Sequence, residues 1–239
     1  MDIRRKNFKG ENMINLILKE LIITRKYLIL GSALICILGS GLLLSKNDMT
    51  GYFLFILINL VIVFISCDTE MKSDIMKKSD IIMTSLPLRR ENIIKSKYII
   101  FGFYPFISNI LLYLITTFLN KYSFIGEISK ALGGLENGIG PDVIFYSLAI
   151  CLIYISVSMP LYYFLGENSK LITYILIMSL FIIPDWAFRF FEKHTNLSIT
   201  KHIFGIDTIV LSFLSLGIAL ALYLASMYLS INIYNKKEF

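Results

Sequence analysis

DTEMKSDIMKKSDIIMTSLPLRRENIIKSK, residues 68–97, is the longest polar interval in this chain, and what flanks it decides the fold. It carries Lys72, Lys77, Lys78, Arg89, Arg90, Lys95 and Lys97, and on either side lie apolar runs long enough to cross a bilayer. The interval reads as a helical segment outside the hydrocarbon that touches something beyond the membrane. The rest of the chain reads as its mount.

Working outward, the 239 residues are 56% hydrophobic and 17% charged, with a mean hydropathy of +0.71. A soluble domain would carry about 25% charged residues. Successive apolar runs near the ~20 residues that span a hydrocarbon core predict an all-α, multi-pass membrane protein. The period-two alternation of a membrane β-barrel is missing from the sequence. Residues 13–239 read as one transmembrane domain behind a polar extension, residues 1–12, which lacks the pattern of a signal peptide. The net charge of +6 comes from basic residues placed between apolar runs, where they set topology instead of binding nucleic acid. Cys36, Cys67 and Cys151 fall in or beside the runs and read as small apolar packers.

Taken in order, residues 13–27 repeat apolar side chains at helical spacing (Ile14, Ile17, Leu18, Leu21, Ile22) among Lys19, Glu20, Arg25 and Lys26. That pattern predicts an amphipathic helix in the membrane interface, or else a juxtamembrane stub of the first span. Six spans are then predicted, at 27–44, 51–67, 98–119, 143–165, 171–190 and 208–231. With six, both termini and residues 68–97 share a side. That side holds 17 of the basic residues against six on the other, so the positive-inside rule puts it in the cytoplasm. The opposite loops, 120–142 and 189–207, are too small for a folded domain.

Chemistry-bearing motifs are few. The chain has no P-loop and no H-E-x-x-H. His194 and His202 share a loop without a clustered third ligand, so no metal site is expected. Gly39-Ser40-Gly41 has no intramembrane histidine to activate its serine and reads as packing. Asp185, at a span boundary, is the nearest thing to a buried charge, which disfavours a pump or ion-coupled carrier. Asn59 and Asn109, near mid-span, are expected to hydrogen-bond between helices. Ser32, Cys36 and Ser40 on the first span, and Gly217, Ala221 and Ala225 on the last, form small-residue ladders. They serve either contacts within the bundle or a homodimer seam. Phe101, Phe103, Tyr104 and Phe106, with Tyr162, Tyr163 and Phe164, read as an interfacial aromatic belt or as an apolar path for an amphipathic substrate.

Within 68–97, Asp68 or Thr69 is expected to cap a helix reaching about Thr84, with Glu70 in its first turn. Leu86, before Pro87, is pushed out of helical geometry, and Pro87 starts the next helix. A helix, a corner and a second helix would relay a push into the membrane; a solvated basic loop is the other reading.

These residues resemble a known family. Asp68 and the run Ser85-Leu86-Pro87-Leu88-Arg89-Arg90-Glu91-Asn92-Ile93-Ile94-Lys95-Ser96-Lys97-Tyr98 are similar to the D…SLPxxRxxIxxxKY stretch of small bacterial permeases, the membrane subunits of type-2 ATP-binding-cassette exporters. The opening from Met13, MINLILKELIITRKYLIL, is similar to their beginnings. The resemblance implies a bacterial cell-membrane half-transporter, two permeases with two separate ATPase subunits. This chain would bind no cofactor, and ATP and Mg would sit on the partner. It implies a cytoplasmic coupling helix between spans two and three, with Glu70, Asp74, Ile75, Met76, Lys77, Lys78 and Asp80 as ATPase contacts. The corner to span three would be Ser85, Leu86, Pro87, Arg89 and Arg90. Glu20, Arg25 and Lys26 would be secondary contacts on the interfacial helix. Larger relatives carry a re-entrant hairpin between the last two spans; here 189–207 is short and polar. Among permeases of this size, the chain is similar to exporters of amphipathic, phenol-soluble modulin-like peptides and to antimicrobial-peptide immunity exporters. Lipids or hydrophobic drugs would suit its aromatic interior nearly as well. A non-transporting scaffold that recruits a cytoplasmic partner through 68–97 is the alternative.

Overall fold

A computed structural model describes residues 48–76, 90–122, 139–166 and 208–236, together with 169, 172 and 175. Among these residues there are four long helices and no strand: α1 (Asp48–Met76), α2 (Arg90–Tyr122), α3 (Pro141–Leu165) and α4 (Thr208–Asn235). Each contains a stretch long and apolar enough to cross a membrane: Gly51–Thr69, Glu91–Phe118, Pro141–Leu165 and Ile209–Asn235. They correspond to the second, third, fourth and sixth spans expected from sequence. The interfacial helix, the first span and, apart from Ile172 and Ile175, the fifth span lie outside the described residues.

Helix is the form these sequences take in lipid because every backbone polar group must be satisfied within the segment. Where each helix stops is less obvious. The sequence closes the second span at Cys67 and opens a new helix at Asp68 or Thr69. Instead α1 continues without a break to Met76. Thr69 does not cap: its Oγ1 donates back to the carbonyls of Ile65 (2.8 Å) and Ser66 (3.0 Å), as mid-helix threonines do. No Gly or Pro stands between Tyr52 and Met76, and a change from apolar to polar side chains does not end a helix. Residues beyond Thr69 therefore extend the membrane helix by roughly 10 Å at 1.5 Å per residue.

Helix α2 is continuous from Arg90, through the residues expected to lead from the Pro87 corner into the span at 98. Its first turns are polar, with Glu91 in the first turn and Lys95 Nζ 3.4 Å from Glu91 Oε2 one turn on. It runs through Pro105 without ending. Helix α3 starts where Gly140 is extended (φ −73°, ψ 159°) and Pro141 takes the first turn. It ends at Gly166, whose φ of +60° suits a residue without Cβ and whose N–H donates to the Tyr162 carbonyl.

Helices α3 and α4 run parallel along their whole lengths. Phe145 stacks on Phe213 near their starts (4.4 Å between centroids), Ser226 bonds to Ser156 further on, and Tyr163 meets Tyr234 near their ends (5.6 Å). The partners keep almost the same sequence offset throughout. Helices α1 and α2 run antiparallel. Phe55, Ile58 and Ile62, early in α1, share an apolar cluster with Leu112, late in α2. Cys67, late in α1, shares the main cluster with Ile94 and Tyr98, early in α2. Cys67 and Cys151 are buried free thiols.

Between lipid-facing helices there is no hydrophobic drive to pack, so close van der Waals fit carries the association. Ala149 on α3 and Ala219 on α4 are both buried in the main cluster. Replacing Ala219 with Phe should therefore destabilise the bundle by about 1–3 kcal/mol through overpacking. Leu222→Phe, on the exposed side of the same helix, should stay within about 0.5 kcal/mol. Thermal unfolding in detergent compares the two.

Candidate coupling site

Proline at 160 has no N–H, so the carbonyl four residues earlier, on Ser156, receives no helical hydrogen bond. An unmet carbonyl inside a membrane helix is costly. Here it is met from α4: Ser226 Oγ donates to Ser156 O at 2.6 Å. The same Ser226 Oγ lies 2.8 Å from Tyr98 Oη on α2, and Tyr98 Oη lies 2.7 Å from Ser230 Oγ. Each hydroxyl has one proton, so the direction of the chain is fixed. Ser226 gives its proton to Ser156, Tyr98 therefore donates to Ser226, and Ser230 donates to Tyr98. One file of hydroxyls thus joins α2, α4 and α3.

A second bond locks the same joint. Tyr223 Oη donates to the Tyr98 carbonyl, and the rings of Tyr98 and Tyr223 lie 5.3 Å apart. Gly102 makes this approach feasible, because a Cβ there would stand 3.0 Å from Tyr223 Oη. Tyr98 is 1% exposed, and Ile93 and Lys97 beside it are each 3%. The I-x-x-x-K-Y part of the motif is thus buried. Lys97, the last residue of the polar interval, is a buried basic residue inside the candidate span Glu91–Phe118 and not part of a loop.

Beside the joint, α2 and α4 leave a groove of about 630 Å³, with Lys95 at one end and Phe106 at the other. Phe103 and Phe106 are exposed, whereas Phe101 and Tyr104 are buried. The first of the two aromatic groups expected as a belt is therefore split between a core pair and a groove pair; in the second, Tyr162 and Tyr163 are buried and Phe164 is exposed.

The residues expected to contact an ATPase divide. Glu70, Asp74, Ile75 and Met76 lie on the last turns of α1, and Arg90 is the first residue of α2. Lys77, Lys78, Asp80, Ser85, Leu86, Pro87 and Arg89 lie outside the described residues, as do Glu20, Arg25, Lys26, Ser32, Cys36 and Ser40. Gly217, Ala221 and Ala225 are exposed, on the side of α4 opposite Ala219, Tyr223, Ser226 and Ser230. That side is not a contact within the described bundle. Only 17% of the α4 spanning window is buried, against 44–56% for the other three helices.

Asn59 and Asn109 do not bridge helices through their amides. Each Nδ2 turns back to its own helix, Asn59 to Phe55 O (3.1 Å) and Asn109 to Pro105 O (2.8 Å). The carbonyl four residues back is the nearest acceptor where no water competes. Their Oδ1 atoms, and Ser147 Oγ, are buried without a hydrogen-bond partner among the described residues. No group of three His, Cys, Asp or Glu able to hold a metal occurs among the described residues.

Four helices long and apolar enough to cross a bilayer, three of them tied together by hydroxyls, define a multi-pass α-helical membrane protein. Over residues 15–235 the chain matches the family described as ABC-2 family transporter protein, and it belongs to that family. It is thus an ABC-2 type permease, the membrane component of a transporter class whose members work with ABC ATPase subunits. No match was found among curated proteins or among solved structures.

The hydroxyl file makes a specific thermodynamic prediction. Ser226→Ala strands the Ser156 carbonyl and should cost about 1–3 kcal/mol. In a Pro160→Ala background the restored N–H at 160 meets that carbonyl, so the same serine change should cost less, with a coupling of at least about 0.5 kcal/mol. A double-mutant cycle on unfolding in detergent measures it.

Proposed function

We propose that this chain is the permease of an ATP-driven exporter that moves amphipathic peptides or hydrophobic compounds outward, as a pair of permeases served by two ATPase subunits. Both termini and the 68–97 segment face the cytoplasm of a bacterial cell, in keeping with the basic-residue asymmetry. The observation that carries this reading is the unbroken extension of α1 beyond the membrane stretch to Met76, combined with membership of the family. A rigid extension moves with its span. A load applied around Glu70–Asp80 therefore reaches the α1 core at Val63 and Cys67 directly, and α2 through its first turns.

The hydroxyl file then distributes the movement. Whatever displaces the start of α2 displaces Tyr98, and Tyr98 is bonded to α4 and through it to α3. Ser85, Leu86, Pro87, Arg89 and Arg90 form the corner between the two arms in this reading. The exposed Gly217, Ala221 and Ala225 supply the surface where two permeases meet, since small residues allow close helix approach; Ser32, Cys36 and Ser40 are the matching proposal on the first span. ATP and Mg are held by the partner, in agreement with a chain that has no P-loop.

Purification of the full chain from its host in mild detergent, with mass spectrometry of what accompanies it, tests the class. A near-equimolar P-loop ATPase is expected, and a preparation free of any ATPase would overturn the reading. Ile75→Glu with Met76→Glu should leave the chain inserted and ATP turnover measurable while lowering cargo export at least about tenfold, a loss of about 1.4 kcal/mol of coupling. Undiminished export in vesicles would move the coupling element elsewhere.

A further inference from the structure

The groove beside the Tyr98 joint is built for something the exporter reading leaves unassigned. Its wall is apolar from Ile99 through Phe103 to Phe106 on α2, faced by Leu224 and Met227 on α4, and the one charged residue lining it among the described residues is Lys95 at the end. From Lys95 to Phe106 the helix rises about 16 Å at 1.5 Å per residue. Half of a ~30 Å hydrocarbon core is about 15 Å. The groove is thus about as long as one leaflet is thick, open on the side, with the Lys95 ammonium at one end.

We infer that this groove binds an anionic phospholipid of the cytoplasmic leaflet, one acyl chain lying along Ile99, Phe103 and Phe106 and the phosphate on Lys95. Charge complementarity selects the occupant. Among the described residues Lys95 pairs with one carboxylate, Glu91 at 3.4 Å, and both side chains are substantially exposed, so the pair is weak and leaves the ammonium able to take a phosphate. Arg89 and Arg90 add to the basic character of the same short sequence. The floor of the groove is the joint itself, Tyr98, Gly102 and Tyr223. A chain in the groove packs on the residues that tie α2 to α4, so lipid occupancy stiffens the link between the cytoplasmic segment and the bundle.

This rests on the orientation proposed above, but its test needs neither ATPase nor cargo, so the two readings fail separately. The full chain, purified in mild detergent, is titrated with phosphatidylglycerol or phosphatidylethanolamine, and bound lipid is counted by native mass spectrometry. Wild type should prefer phosphatidylglycerol about fivefold, the order contributed by one basic residue at an anionic surface. Lys95→Glu should abolish the preference and Lys95→Arg keep it. Leu224→Trp, which fills the groove, should lose retention of both lipids, with Met227→Trp as a second filler if the first does not fold. Equal binding of the two lipids by wild type, or an unchanged preference in Lys95→Glu, would overturn the assignment. So would efficient disulfide formation between copies through Leu224→Cys, which would make the groove a seam between permeases.

Discussion

A proline that cannot donate sets the arrangement of the described helices. Pro160 leaves the Ser156 carbonyl without its helical partner, and in a bilayer that carbonyl must be met by protein. Ser226 meets it, which draws α4 against α3 at one height. Because Ser226 has spent its proton there, it can only accept from Tyr98, and α2 is drawn in as well. A defect in one helix thus fixes the relative positions of three.

The apolar packing is consistent with that constraint but is less selective. Lipid solvates leucine and phenylalanine as well as a neighbouring helix does, so large exposed residues on α4, such as Phe213, Leu214 and Tyr228, are no sign of instability. What distinguishes the inner face of α4 is its series of hydroxyl and small residues: Ser212, Ala219, Tyr223, Ser226, Ser230 and Tyr234 are all buried. Each hydrogen bond between helices contributes on the order of 0.6 kcal/mol, modest alone. Directional bonds nevertheless choose one register among the many that greasy surfaces would accept.

The same geometry sets how α1 and α2 reach their polar ends. Of the two arms that leave the bundle, α1 reaches its end as a continuous rod, whereas α2 enters through polar first turns and is pinned at Tyr98. Tyr98, Tyr223 and Gly102 tie α2 to α4, the two rings tilted 5.3 Å apart and the Tyr223 hydroxyl bonded to the Tyr98 carbonyl. The groove and the joint share Tyr98, Gly102 and Tyr223.

Sequence alone determined the class of fold, because bilayer thickness and the cost of an unpaired backbone leave helices as the form for long apolar runs of this kind. It also placed four spans to within a few residues at most of their ends, and it marked the D…SLPxxRxxIxxxKY stretch that carries the family resemblance. It misjudged Asp68 and Thr69, since capping residue types are equally at home inside a helix when nothing nearby breaks it. It misjudged Asn59 and Asn109, since whether an amide reaches across or folds back depends on what stands opposite. The pairing of Ser226 with Ser156, the burial of Lys97 and the groove along Lys95 and Phe106 came only from tertiary structure. Pro160 announces in the sequence that a carbonyl is left over. Which side chain arrives to meet it is set by helices 70 residues apart in the chain coming to the same depth.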